Sequence, residues 1–369
     1  MVQLIDEHRT YTERGSPQLS RLSQLVPSVG TFSTPLPLRA AFLYQNELRS
    51  ISSRQHVTPS FNDIRHILNT AQTRAAASTL RLITFDGAMT LYDDGGEFPR
   101  DSRIGRLLSA FLKRGVNLAI VTAARGWRGS WRGLTRMESV MEKAGRGESS
   151  FLAQCSLQMT LCQGGECNYL HTFTPSSGRL SYIPPSQYLP ADISNPLSFS
   201  LHPSNTSRIA AFLDVVEQCL LETREEMNLQ ERTKVIRKER AVGVLPVEGM
   251  HSDTSNDAAS VLSLPDLPFC AFNGGNDVWV DIGNKLIAAK ILWSWLGIDG
   301  EETIHVGDQF LSTGNNVSTR SACCTLWVAD PKETEGALGD LRGSVHYGFE
   351  TYLLRRFAFC VSSCNSQSH

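Results

Sequence analysis

A doubly wound α/β fold, interrupted by a long insertion and preceded by a helical region, is the architecture that this 369-residue sequence predicts. Three observations predict it. The apolar run Leu82–Phe85 ends on Asp86-Gly87, and a helical pattern and a second apolar run, Val116–Val121, follow it; that is a β-loop-α-β unit, the signature of a parallel sheet. Far downstream the rhythm returns, with a helix over Lys285–Leu296, a strand Thr303–Val306 ending on Gly307-Asp308, and a last strand Thr325–Ala329. Between the two sets, residues 128–270 follow another pattern.

Taken in order, residues 1–77 read as helical, with Pro35, Pro37 and Pro59 as punctuation. Leu36–Ser50 and Phe61–Ala77 are the helix candidates, the second with Ser60 placed as its N-cap. After the first strand comes a polar loop, Tyr92–Gly96, then a helix over Ser102–Arg114 that Gly115 stops. Residues 128–150 are rich in Arg and Gly with helical propensity, and Ser176–Leu201 is rich in Ser and Pro. Ile209–Asn228 is an amphipathic helix, Val235–Val244 alternates like one strand, and residues 250–262 form a polar loop. Val278–Ile282 reads as the strand that resumes the core. The expected division is therefore a helical region over 1–77, a core over 78–127 and 271–369, and an insertion over 128–270.

Bulk properties exclude several classes. A formal charge of −2 gives no surface for nucleic acid or an anionic membrane, and no segment has the length of a membrane span. Met1–Arg9 carries no apolar run after a basic start. Nine cysteines, an odd count without zinc spacing, read as core thiols in a reducing, cytoplasmic setting.

Four residues stand where a parallel sheet presents its carboxyl edge: Asp86, Thr122, Lys285 and Asp308. Phosphoryl transfer needs such a set. A carboxylate nucleophile splits hydrolysis into two easier steps. Two carboxylates, Asp86 and Asp308, offer hard oxygens to a divalent cation. A hydroxyl and an ammonium grip the phosphate oxygens.

These are the motifs of the haloacid-dehalogenase superfamily, which the sequence resembles. The likeness narrows with Phe85-Asp-Gly87, Thr90-Leu-Tyr-Asp-Asp-Gly95, Ile120-Val-Thr-Ala-Ala124, Gly164-Gly-Glu-Cys-Asn-Tyr-Leu170, Ile236-Arg-Lys-Glu-Arg-Ala-Val-Gly243, Phe272-Asn-Gly-Gly-Asn-Asp-Val278 and Val306-Gly-Asp-Gln-Phe310. Together they resemble the IMP-specific 5′-nucleotidases of fungi and apicomplexan parasites over residues 1–350. The resemblance implies magnesium-dependent hydrolysis of inosine monophosphate, a step of purine salvage. It implies a Rossmann-like core under an inserted α+β cap domain, tetramers, and activation by ATP through the N-terminal helical region. Carried over by motif, Asp86 is the nucleophile and a metal ligand, Asp308 another ligand, and Thr122 and Lys285 grip phosphate. Asp94 and Asp277 lie against the nucleotide, and His66 falls on the helix that would take the effector.

One departure bears on turnover. The family has aspartate where this chain has Ala88. A backbone carbonyl at 88 can still face a metal, but it moves no proton, and general acid–base catalysis is typically worth ~10²–10⁴ in rate. Phosphonatases also carry alanine there, though no other mark of that group is present. Asn315 and Asn316 stand in a region that usually carries another acid, and Arg125-Gly-Trp127 with the basic run Arg128–Arg136 departs from the family's sequence after its second motif.

Plainer readings stand beside the sharp ones. Asp277 caps a strand or contacts substrate; Asp93 and Asp94 form an Asx turn or a nucleotide contact. Arg237, Lys238 and Arg240 either read the substrate or line a solvated strand, and Glu166 is open in the same way. His66 taken alone is a structural histidine. The resulting expectation is an IMP 5′-nucleotidase with reduced turnover. The runner-up is a silent nucleotide-binding or regulatory homologue, motivated by Ala88.

Overall fold

The computed structural model describes residues 2–25, 35–93, 96, 102–122, 159–163, 169–174, 179–189, 205–247, 269–273, 277–311 and 314–345. Its main sheet is built from strands β1 (Leu82–Phe85), β2 (Asn117–Thr122), β3 (Met159–Gln163), β4 (Tyr169–Thr174), β5 (Arg179–Ile183), β10 (Thr303–Gly307) and β11 (Cys324–Trp327). Their order is β11-β10-β1-β2-β3-β4-β5. The first five in that order run parallel, and β4 and β5 return antiparallel at the edge.

Both faces of this sheet are covered, as the continuous apolar strands require. Alternate residues of β1 divide between the layers. Ile83 and Phe85 join Leu107, Leu108 and Phe111 of α5 (Arg103–Leu112), with Leu338 and Leu341 of the helix over 331–345. Leu82 faces the other layer, with Ile287, Ala288, Ile291 and Leu292 of α8 (Lys285–Leu296).

A second sheet, antiparallel and four-stranded, is ordered β6 (Thr233–Arg237), β7 (Ala241–Pro246), β9 (Val278–Ile282), β8 (Phe269–Asn273). Helix α7 (Thr206–Glu226) covers one face, setting Phe212, Leu213 and Val216 on Val242, Val280 and Ile282. Trp279, Phe272, Ala241 and Leu245 make the opposite face.

Three expectations are corrected here. The insertion does not begin at 128 as a separate unit, because β3–β5 extend the main sheet through the Leu118↔Met159 register. Nor does Val278–Ile282 resume the core; it pairs with β7 and β8 in the second sheet. An apolar alternating strand fits any sheet with one buried face, so its pattern reveals its type but not its partner. Val235–Val244 is likewise a hairpin and not one strand, with its turn at residues 238–240. The Arg-rich segment 128–150, the Ser/Pro-rich stretch 190–201 and the loop 250–262 lie outside the described residues.

The N-terminal helices α1 (Val2–Glu13), α2 (Arg21–Leu25), α3 (Leu38–Arg49) and α4 (Phe61–Ala76) share a small core of Ile5, Leu38, Ala41, Ile67 and Ala71. Ser60 caps α4, as the sequence predicts, and the structure adds a reciprocal box with Asp63. Helix α4 is also the lid on the open edge of the main sheet. The Asn69 side chain exchanges hydrogen bonds with the backbone N–H and carbonyl of Trp327 (2.9 and 2.7 Å), and Gln72 accepts from the Thr325 N–H at 2.7 Å. An unpaired strand edge is thereby satisfied. The short helix α6 (Pro185–Tyr188) follows β5, and α9 denotes the helix over 331–345. Among the described residues no helix is long and apolar enough to cross a membrane.

Candidate active site

Parallel pairing of β1 with β10 fixes the centre of the site. The Asp86 N–H donates to the Val306 carbonyl at 2.9 Å, extending the ladder one residue beyond β1 and setting Asp86 beside Gly307. Asp308 is the next residue, half-buried, its carbonyl held at 2.7 Å by the Trp327 indole N–H. The Asp86 carboxylate is polarised on both oxygens. Its Oδ1 accepts the Gly87 N–H at 2.7 Å, while Oδ2 accepts from the Lys285 ammonium and from Asn316 Nδ2 at 3.0 Å.

Lys285 is wholly buried at the first position of α8, where the helix dipole disfavours a cation. Two contacts offset that cost: the Asp86 carboxylate, and Asn316 Oδ1 at 3.0 Å. Asn284 caps the helix by accepting the Ile287 N–H at 2.9 Å, which aims the lysine stem into the sheet's rim.

Behind this pair lies a relay. His305 Nε2 is 2.7 Å from Asn316 Oδ1, and His305 Nδ1 is 2.8 Å from Thr84 Oγ1. Asn316 Nδ2 is already committed to Asp86 and, at 3.0 Å, to Asn315 Oδ1. Its Oδ1 is therefore an acceptor from both Lys285 and His305, so Nε2 carries the imidazole proton and Thr84 donates to Nδ1. Full burial, aided by the nearby Lys285 charge, pushes the His305 pKa down to about 4.

That shift carries a stability consequence. The unfolded imidazole titrates near 6.5, so the neutral buried form contributes fully above that pH and is lost as pH falls toward 4. Stability should drop by about 3 kcal/mol across this window. Urea midpoints at several pH values check it, and His305→Gln should flatten the slope. Asn316→Ala should cost about 2–4 kcal/mol in the same assay, since an unsatisfied buried polar group costs roughly 1–3 kcal/mol.

Two glycines make the close approaches possible. A Cβ on Gly307 would stand 2.5 Å from Asn316 Oδ1; a Cβ on Gly87 would meet the Tyr92 hydroxyl at 2.5 Å and Thr122 Oγ1 at 3.2 Å. Thr122, at the end of β2 and buried, thus reaches the loop that follows Asp86. That loop turns tightly. The Leu91 N–H donates to the Gly87 carbonyl at 2.9 Å, Met89 is left-handed (φ 57°), and Ala88 pairs with Tyr92 in an isolated bridge. Thr90 is fully buried, its carbonyl accepting from Thr334 Oγ1 at 2.7 Å.

Of the residues the sequence singles out, Asp86, Thr122 and Lys285 converge around this loop, and Asp308 follows the strand beside it. Asp94 and Glu166 lie outside the described residues. Asp277 precedes β9 in the second sheet, and only Gly283 and Asn284 separate that strand from α8 and Lys285. Arg237 is bound to α7 through Asp214 (2.9 Å), Glu217 (3.2 Å) and the Ala210 carbonyl (3.1 Å), which gives it a structural role. Lys238 stacks 3.9 Å over the Trp279 ring. His66 lies on α4 against Glu333 of α9, 3.6 Å away, and burial holds its pKa below the ordinary value.

His305 carries no sequence signal for a site, and Tyr92, though it lies within the Thr90–Gly95 motif, is given no role there. A histidine inside an apolar strand reads as core, and Tyr92 reads as a loop residue. Among the described residues no group of three or more His, Cys, Asp or Glu is placed to hold a metal ion. A cation here would draw on the two carboxylates plus backbone and water oxygens, a hard all-oxygen set that suits Mg²⁺.

The model of the family described as IMP-specific 5′-nucleotidase matches residues 1–338. The IMP-specific 5′-nucleotidase 1 of Neurospora crassa is 40% identical over 365 residues, covering 92% of this chain and 81% of that protein. The IMP-bound, N-terminally truncated IMP-nucleotidase of Plasmodium falciparum superposes with a TM-score of 0.75 at 30% identity, covering 92% and 87% of the two chains. An ATP-bound structure of the P. falciparum IMP-nucleotidase gives 0.72 at 29%, covering 92% and 77%. The chain belongs to the IMP-specific 5′-nucleotidase family.

Proposed function

We propose that this protein hydrolyses inosine monophosphate to inosine and phosphate through an aspartyl-phosphate on Asp86. The observation that carries the reading is the Asp86 carboxylate at the sheet's rim, oriented by the buried Lys285 ammonium and by Asn316. Asp86 Oδ attacks phosphorus, and Lys285 and Thr122 hold the non-bridging oxygens as charge moves through the transition state. Asp86, Asp308 and the Ala88 carbonyl would hold Mg²⁺, which supplies charge neutralisation at the phosphate when bound. Asn316 keeps Lys285 and Asp86 in register, and the His305–Thr84 pair fixes the Asn316 amide. The sheet of β6–β9 with α7 serves as the cap, and Asp277 and Asp94 meet the nucleotide. ATP as effector near His66 and assembly as a tetramer extend the reading by family likeness, as does the cytoplasm as compartment.

Ala88 favours a second reading, a protein that binds nucleotide and turns it over slowly or not at all. One experiment separates them. Protein incubated with inosine monophosphate and magnesium should release inosine and phosphate in equal amounts, and EDTA should stop it. Binding by calorimetry without any phosphate after long incubation would establish the silent homologue instead.

A further inference from the structure

A phosphomonoesterase must hand a proton to the departing alkoxide, and the residue at 88 cannot do it. Among the other described groups around Asp86, Asp308 is read as a metal ligand. Lys285 is bound to Asp86 and Asn316, and His305 has both ring nitrogens engaged behind the Asn316 amide. Asn315 and Asn316 are amides with no acidic proton to give. One acidic hydroxyl stands at the loop. Tyr92 is locked to Ala88 by a backbone bridge, its ring rests against the main core, and its hydroxyl fills the space that Gly87 leaves in front of Thr122.

From this placement we infer that Tyr92 is a catalytic residue, its phenol donating the proton to the leaving 5′-oxygen in the place of the absent acid. The inference rests on the reading of Asp86 as nucleophile toward a phosphomonoester. As the Asp86 oxygen bonds to phosphorus, the P–O5′ bond breaks and O5′ takes the phenolic proton, leaving inosine and a tyrosinate. Water then attacks the aspartyl-phosphate. Its proton returns to the tyrosinate, the P–Oδ bond breaks, and phosphate leaves with Asp86 regenerated. The sum is ester plus water to alcohol plus phosphate. A ring fixed by packing holds the hydroxyl in place without loss of further freedom.

The test compares leaving groups. p-Nitrophenolate departs without a proton, whereas inosine does not. Tyr92→Phe should lower kcat/KM for inosine monophosphate by about 10²–10³ while changing the single-turnover release of p-nitrophenolate less than about threefold. In an Ala88→Asp background the same Tyr92→Phe change should cost less than about tenfold, because the carboxylate takes over. Equal losses on both substrates, or no loss on inosine monophosphate, overturn the assignment. A variant that melts early is judged by the Ala88→Asp pair, where a structural defect would persist. If the unaltered protein cleaves p-nitrophenyl phosphate but not inosine monophosphate, the substrate reading falls, and the same comparison on ribose 5-phosphate decides Tyr92.

Discussion

Asp86→Asn should abolish phosphate release from inosine monophosphate, a loss on the order of 10⁴ or more, because an amide cannot form the covalent intermediate. The same change should also destabilise the fold. Lys285 has no solvent exposure, and the Asp86 carboxylate is its anionic partner. Removing one member of a buried pair typically costs about 3–5 kcal/mol, because it leaves the other charge uncompensated. Asn316 Oδ1 still accepts from the ammonium, so the lower end of that range is expected. Circular dichroism and a urea titration measure the second effect, and calorimetry with inosine monophosphate separates lost chemistry from lost binding. Retained turnover in a folded Asp86→Asn protein would remove this residue from the mechanism and leave the site without its nucleophile.

Local signals carry the parts of this molecule that depend on local physics. The cap of α4 at Ser60, the limits of α8 and the placement of Asp86 and Asp308 after parallel strands follow from periodicity, capping chemistry and strand ends. Pairing partners do not. Val278–Ile282 has the apolar pattern of a core strand, but its place beside β7 is decided by contacts far along the chain, as is the addition of β3 to β2. The site divides the same way. Charged and hydroxyl residues at strand ends stand out, whereas His305 sits inside the run Thr303–Gly307 and acquires meaning only when Thr84 and Asn316 bracket its ring. Asn316 reads in sequence as the loss of an acid. In the fold it links the Lys285 ammonium, the Asp86 carboxylate and the His305 ring.

Ala88→Asp should raise kcat for inosine monophosphate by about 10², toward the lower end of the ~10²–10⁴ that a positioned acid–base typically provides, because Tyr92 already serves the leaving oxygen. Both half-reactions bear on the size of the effect. In the first, a carboxylic acid at 88 donates to O5′ more readily than a phenol does. In the second, the resulting carboxylate activates the water that attacks the aspartyl-phosphate, a step that falls to the weaker tyrosinate arrangement in the native chain. Dephosphorylation should therefore gain most. Rapid-quench measurements should find a burst of inosine ahead of steady-state phosphate release in the native protein, and that burst should shrink in the variant. Ala88 is half-buried and its backbone is fixed by the bridge to Tyr92, so the new side chain starts from a defined position. KM should rise together with kcat, because the aspartyl-phosphate that accumulates in the native protein lowers KM, whereas kcat/KM reports the first half-reaction and should change less. Unchanged or lower turnover, with nucleotide binding intact, would mean that the site lacks more than a proton carrier and that the chain holds its nucleotide without processing it.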